Sequence, residues 1–154
     1  MSTKSTASIV WKVKPFHELE LEELYKIIQL REEVFILEQQ CIYTDLDFAD
    51  QTCTHVMGFV DNEMVAYARI FGPVVESNKK ASFGRVLVAQ KARRLNIGKA
   101  LIEQLLQSIK EIFQTEEITI SAQSYLLKFY NSFGFKEQGE IYLDAGVPHI
   151  TMHK

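Results

Sequence analysis

The chain has 154 residues, the length of one ordinary domain, and its 47% hydrophobic and 11% aromatic content can bury a sizeable core. With 17 Lys+Arg against 20 Asp+Glu the formal net charge is -3, so the overall basic field that a nucleic-acid binder needs is missing. No apolar run approaches the roughly 18 residues needed to cross a bilayer, and MSTKSTASIVWKV lacks the apolar centre of a signal peptide, so the expectation is a cytoplasmic protein with neither membrane nor nucleic acid as partner.

Residues 1–8 read as a flexible tail. Ile9, Trp11 and Val13 then alternate with polar residues and predict a half-buried strand. Glu18, Glu20, Glu22 and Glu23 open a predicted helix, where carboxylates suit the positive end of the dipole. Its apolar stripe runs through Leu21, Leu24, Ile27 and Ile28, then Val34 and Phe35, to about residue 37. Residues 39–54 combine Asp45, Asp47 and Asp50 with Tyr43 and Phe48 and read as a loop long enough to shape a binding cleft. Its aspartates would favour a cationic acceptor, unless they are simply solvated.

Residues 55–60 and 64–71 flank Asp61-Asn62-Glu63, a hairpin signal, and after the loose GPVVESNKK stretch residues 82–88 give a third apolar run. Ile97, Leu101, Leu105, Ile109 and Ile112 recur at helical spacing opposite Glu103, Gln107, Lys110 and Glu111. A short strand over 118–120, a helix over 124–133 and closing strands over 135–143 and 148–153 complete the order β-α-β-β-β-α-β-α-β-β, a mixed α/β domain spanning residues 1–154. Cys41, Cys53 and His55 match no zinc spacing; they read as packing residues, and no metal is expected.

Between Val88 and the helix opening near Ile97 lies AQKARRLN. A strand that feeds a turn that feeds a helix leaves several backbone N–H groups pointing outward at the positive end of the helix dipole, which is an anion-binding geometry. Lys91, Arg93, Arg94 and Lys99 place four cations within nine residues of an otherwise acidic chain. Gly98 lets a phosphate approach the backbone and Asn96 tolerates a left-handed conformation, so the turn can wrap a pyrophosphate. It is not a nucleotide P-loop, because Arg93 stands at that motif's first glycine and Ala100 at its Ser/Thr. Taken alone, the cluster could also be a solvated helix start. A second constellation, Gln123, Tyr130, Gly134 and Phe135, bears on the choice.

Together these residues resemble the GNAT superfamily of acyl-CoA-dependent N-acetyltransferases. The pyrophosphate signature Q/R-x-x-G-x-G/A is similar to Arg93-Arg94-Leu95-Asn96-Ile97-Gly98, with Asn96 in place of the first glycine, and the later signature is similar to Gln123, Tyr130, Gly134 and Phe135. More narrowly, Leu30-Arg31 with Val34-Phe35, then Glu38-Gln39, Tyr43-x-Asp45-x-Asp47, Ala66 to Ile70, Gly84-Arg85-Val86 and Pro148-His149-Ile150 resemble the ElaA-like branch. The resemblance implies a splayed, mostly antiparallel sheet of about seven strands with helices on both faces, opening between the fourth and fifth strands to admit the pantetheine arm of acetyl-CoA. It also implies that Val86, Leu87 and Val88 offer main-chain groups to that arm. By the same resemblance Arg93, Arg94, Asn96, Ile97, Gly98, Lys99 and Ala100 hold the pyrophosphate, Gln123 bonds the pantetheine amide and Tyr130 sits near the sulfur. Members of the family often form homodimers.

Attack of an amine on a thioester requires loss of a proton from the amine, and the departing thiolate gains from a donor within reach. Tyr130, one turn before Gly134, is the candidate donor, with a phenol matched to a weakly basic thiolate. Some family members carry a base on the fourth strand, but this chain has Ser82-Phe83-Gly84-Arg85 there. Glu38, His55 and His149 are the remaining candidates, and holding amine and thioester in line could supply much of the rate without any of them. The reading is an acetyltransferase acting directly on a primary amine of a small molecule or peptide; the alternative is a non-catalytic CoA-binding module on the same fold.

Overall fold

The hairpin at Asp61-Asn62 opens the antiparallel sheet. Both residues are left-handed, with φ of 50° and 64°, the conformation of a two-residue turn that matches strand twist. In the computed structural model, which describes residues 8–154, this turn joins β2 (Thr54–Val60) to β3 (Glu63–Phe71), so Glu63 belongs to the strand. The tail expected over residues 1–8 lies, apart from Ser8, outside the described residues. β1 (Val10–Pro15) pairs with β2, and β3 with β4 (Ser82–Val88), all antiparallel. Met64 to Ile70 are buried without interruption, the pattern of a strand covered on both faces.

Helix α1 (Leu21–Arg31) begins three residues later than the acidic run suggests, because Phe16–Glu18 forms a separate 3-10 turn. The Glu20 N–H donates to Glu23 Oε1 at 2.9 Å, closing the first turn. Glu23 is buried and accepts from Lys14 Nζ at 2.8 Å, fastening α1 to β1. The helix then widens into a π-helix (Glu32–Glu38), a rare form concentrated at functional sites. Leu21 faces solvent instead of continuing the stripe.

Helix α2 (Ile97–Phe113) buries Ile97, Leu101, Leu105 and Ile109 with Ile102. Ile112 is 46% exposed, so the apolar face stops one turn early. β5 (Thr119–Gln123), α3 (Leu127–Asn131, after a 3-10 turn), β6 (Lys136–Asp144) and β7 (Val147–His153) follow, and the last three strands form an antiparallel sheet in the order β5-β7-β6. Among the described residues the backbones of the two sheets are bridged where β4 and β5 begin. Ala81 and Ile118 form a parallel bridge, and the Thr119 N–H donates to the Ala81 carbonyl at 2.9 Å. Beyond that point β4 and β5 pair no further, giving the expected splayed, mostly antiparallel α/β sheet of seven strands.

β4 carries a bulge. Arg85 and Val86 together oppose Ala68, since Tyr67 pairs with Leu87 and Arg69 with Gly84, and Arg85 has φ 49°. A β-bulge re-aims a strand, and here an ionic network holds it. Arg31 Nε donates to Asp45 Oδ2 at 2.7 Å, Nη1 to Asp50 Oδ1 at 2.6 Å and Nη2 to the Asp45 carbonyl at 2.9 Å. Arg69 donates to both Asp47 oxygens at 2.7 and 2.8 Å and to Asp50 Oδ1 at 3.0 Å. Arg85 Nε lies 2.9 Å from Asp45 Oδ1, too oblique for a hydrogen bond, with its guanidinium over the Tyr43 ring. Three arginines thus neutralise Asp45, Asp47 and Asp50. The attraction for a cationic acceptor expected of these aspartates is corrected: their charge is spent in pinning residues 39–54 to the core.

Arg31 is 1% exposed, and removing it takes away one of the cations that neutralise Asp45 and the buried Asp50. Arg31→Met is therefore expected to cost about 3–5 kcal/mol of unfolding free energy in urea; a loss below 1 kcal/mol contradicts the role given to the network. Acid should also weaken the fold in two stages. Burial holds the His55 pKa below its usual value, so the unfolded chain takes up that proton first and stability falls as pH drops below about 6.5. Hydrogen bonding from Arg69 depresses Asp47, whose contribution is complete above the ordinary carboxylate range and is lost as pH falls below about 4. Urea midpoints at pH 7.5, 5.5 and 3.5 should fall in that order.

Candidate active site

Where β4 and β5 part, a cavity of about 540 Å³ opens between them. One wall is β4 from Ser82 to Val88, the other Ile120 to Gln123 of β5, and Val34, Phe35 and Glu38 of the π-helix lie across it. The Ala89 N–H donates to the Val65 carbonyl at 2.7 Å; backbone groups alternate sides along a strand, so the Val88 N–H and C=O face away from β3 and into the cleft. Val86, Leu87 and Val88 all line the cavity.

Gln90–Leu95 winds as a 3-10 turn, ending at Asn96 in the expected left-handed conformation (φ 57°, ψ 23°). The Ala100 N–H bonds back to the Asn96 carbonyl at 3.2 Å, so the Ile97, Gly98 and Lys99 N–H groups have no acceptor within the helix, and Asn96 supplies no side-chain cap. A Cβ on Gly98 would meet nothing closer than 4.0 Å, so packing does not demand glycine there; its missing side chain leaves room in the cleft. The cations divide. Lys91 is turned away onto Glu63, Arg93 lines the cleft, and Arg94 and Lys99 are exposed. Arg94, Asn96, Ile97, Lys99 and Ala100 border the mouth without lining the cavity, and the Ile97 side chain is turned into the core.

Tyr130, also in the lining, is 4% exposed, packed in tilted and edge-on contacts with Phe83, Phe129 and Phe135 at centroid distances of 6.2, 5.3 and 6.1 Å. Burial pushes its pKa well above that of an ordinary phenol, so it stays protonated. His149 sits on β7 directly between Gln123 of β5 and Tyr142 of β6. Its Nδ1 is 2.7 Å from the Val147 carbonyl, which can only accept, so Nδ1 carries the proton and Nε2 presents a lone pair when the ring is neutral. Tyr142 stacks on the ring with centroids 6.1 Å apart and shares a hydrogen bond with Ser121. Glu38, Gln123, Tyr130 and His149 all line the one cavity.

His55 does not join them. It is fully buried on β2, with Nδ1 2.7 Å from the Tyr67 hydroxyl and Nε2 2.8 Å from the Asp50 carbonyl, so both nitrogens are committed and its candidacy as base is corrected. Asp50, Cys53 and His55 hold ligand-type atoms within 4.8 Å of one another, but the set does not fit a metal. Asp50 already accepts from two arginines, the imidazole is fully bonded, and burial pushes the Cys53 thiol up to about 11. Cys41 lies elsewhere, its thiol 3.0 Å from the Ala145 carbonyl. Sequence reading passed over Ser121, Tyr125, Phe129 and Asp144, which also line the cleft. Only the turn signal Ala145-Gly146 could have placed Asp144 at a strand end.

Residues 18–154 match the family described as the acetyltransferase (GNAT) domain. The chain belongs to the GNAT acetyltransferase family. ElaA of Escherichia coli is 36% identical over 146 residues, covering 94% of this chain and 95% of that one. A Synechocystis relative is 35% identical over 145 residues, covering 94% of each chain. The crystal structure of E. coli ElaA superposes with a TM-score of 0.88 over 96% of this chain and 99% of that one. An acyl-CoA N-acyltransferase from Pseudomonas aeruginosa, 35% identical, does so at 0.89 over the same shares. As a GNAT-type N-acetyltransferase the chain draws on acyl-CoA and an amine acceptor, and no helix among the described residues is long and apolar enough to cross a membrane.

The four histidines of this GNAT chain should differ in reactivity. Diethyl pyrocarbonate on the native protein, read by peptide mass spectrometry, is expected to modify the half-buried His149 and to spare His55 until urea is added. Equal labelling of the two would contradict the burial described above.

Proposed function

We propose that the protein transfers the acetyl group of acetyl-CoA to a primary amine of a small molecule or peptide by direct attack, with no acyl-enzyme. The observation that carries this reading is one cleft that brings together Arg93, the N–H groups at the start of α2, a buried phenol and an oriented imidazole. In this reading the pyrophosphate lies on the Gly98 and Lys99 N–H groups, with Arg93, Arg94 and Lys99 supplying countercharge and the Asn96 turn shaping the cradle. The pantetheine arm runs along the cleft-facing groups of Val86 and Val88, with Gln123 at its amide; the main-chain groups of Leu87, expected from the resemblance to join them, are turned to Tyr67 on β3.

The thioester then lies between His149 and Tyr130. The acceptor ammonium gives a proton to His149 Nε2, directly or through water, and the freed nitrogen attacks the carbonyl carbon. When the tetrahedral intermediate collapses the C–S bond breaks, the second proton of the attacking nitrogen passes through solvent to the departing thiolate, and Tyr130 O–H donates a hydrogen bond to the sulfur as its charge grows. Because burial raises its pKa, Tyr130 serves by donation more than by full release of its proton. Neither Cys41 nor Cys53 lines the cleft, which supports transfer without a thiol relay.

Acetyl-CoA should raise the melting temperature of the wild-type protein, and Arg93→Ala should reduce the rise, since a ligand confined to the native state stabilises it. Release of free thiol with a panel of primary amines reads turnover. Tyr130→Phe is expected to lower kcat about 100-fold with acetyl-CoA binding retained, and His149→Gln to lower kcat likewise with acetyl-CoA binding retained. Turnover undiminished in both variants would remove these roles, and CoA binding with no turnover of any amine would favour a non-catalytic CoA-binding module.

A further inference from the structure

The Arg93 guanidinium places its Nε–H on the Val88 carbonyl at 3.0 Å and both terminal nitrogens on the Glu38 carboxylate, Nη2 to Oε2 at 2.8 Å and Nη1 to Oε1. Two parallel N–H···O bonds to the end of the fork are also the arrangement by which an arginine grips two oxygens of a phosphate. Glu38 closes the π-helix and Arg93 stands in the turn before α2, so the pair joins elements 55 residues apart, and both side chains line the cleft. We infer that Glu38 sets the affinity of the anion end: its carboxylate occupies the Arg93 fork as an internal stand-in for phosphate, and CoA binds by exchanging its pyrophosphate for Glu38. The inference rests on the acyltransferase reading above.

Arg85 and Arg93 both line the cleft, but only Arg93 is placed to change partner. Asp45, the partner of Arg85, is itself gripped by Arg31 and by the Tyr43 hydroxyl at 2.8 Å, so it cannot leave without unmaking the core network. Glu38 has no such second hold among the described residues, and its pair with Arg93 is 34% and 38% exposed, within reach of water and salt. The Nε bond to Val88 keeps the guanidinium plane in place while the fork trades one anion for another. A pyrophosphate arriving beside Glu38 also repels it. After the exchange Glu38 becomes an unpaired carboxylate inside the cleft, where it would attract the ammonium of the acceptor.

Isothermal titration of CoA into wild type, Glu38→Gln, Arg93→Ala and the double variant tests the exchange. Removing the competing charge is expected to tighten CoA binding about two- to fivefold. The gain should vanish in the Arg93→Ala background and shrink in molar salt, because it acts through the Arg93 fork and through charge. Unchanged or weakened CoA binding in Glu38→Gln overturns the inference while leaving the acyltransferase reading intact, as does an equal gain without Arg93. A wild-type protein that binds no CoA removes both.

Discussion

Three arginines facing three aspartates hold this molecule in its working shape. Arg31 comes from the end of α1, Arg69 from β3 and Arg85 from the β4 bulge, while Asp45, Asp47 and Asp50 all come from one irregular segment. Burying Arg31, Arg69 and Asp50 is costly, and the arrangement is tolerable only because each carboxylate of the cluster meets more than one arginine or a further donor. The consequence for function runs through Arg85. A non-glycine residue at φ 49° needs outside support, and Asp45 together with the Tyr43 ring supplies it. The bulge so fixed turns β4 out of line with β5, and the cleft exists because the two strands part.

The same network gives a physical meaning to the branch resemblance. Arg31, Tyr43, Asp45, Asp47, Arg69 and Arg85 are all motif residues, and all of them converge on this one cluster. They position the site without belonging to its chemistry. In this chain those motif residues serve to fold residues 39–54 over the sheet beside the cleft.

Local signals read well. The Asp-Asn hairpin, the α2 stripe, the left-handed Asn96 and the succession of strands and helices along the chain all follow from spacing and from the few residues that tolerate positive φ. The failures share a cause, which is that long-range pairing leaves no local trace. An aspartate-rich loop looks solvated until the arginines that meet it are known to come from three distant elements. His55 looked like a base because its type is right, and only its contacts with Tyr67 and Asp50 reveal that both nitrogens are used. Neither the π-helical widening over Glu32–Glu38 nor the grip of Glu38 on Arg93 could be read from periodicity.

The position of the base follows from the same constraint. On β4, where some members of the family carry a carboxylate, this chain has Arg85 bound to Asp45 and near Asp47. An acid at that position would set another negative charge against two others in a half-buried site and remove the cation that neutralises them. In the proposed reading, proton removal is therefore assigned to another residue of the cleft, one whose protonation does not unsettle the network. His149 meets that condition: it lies on β7, in the other sheet, with its tautomer fixed by its own backbone and its ring backed by Tyr142. The charges that build the cleft and the group that would work within it are kept on opposite sides of the β4/β5 opening, so a proton can move in one without weakening the other.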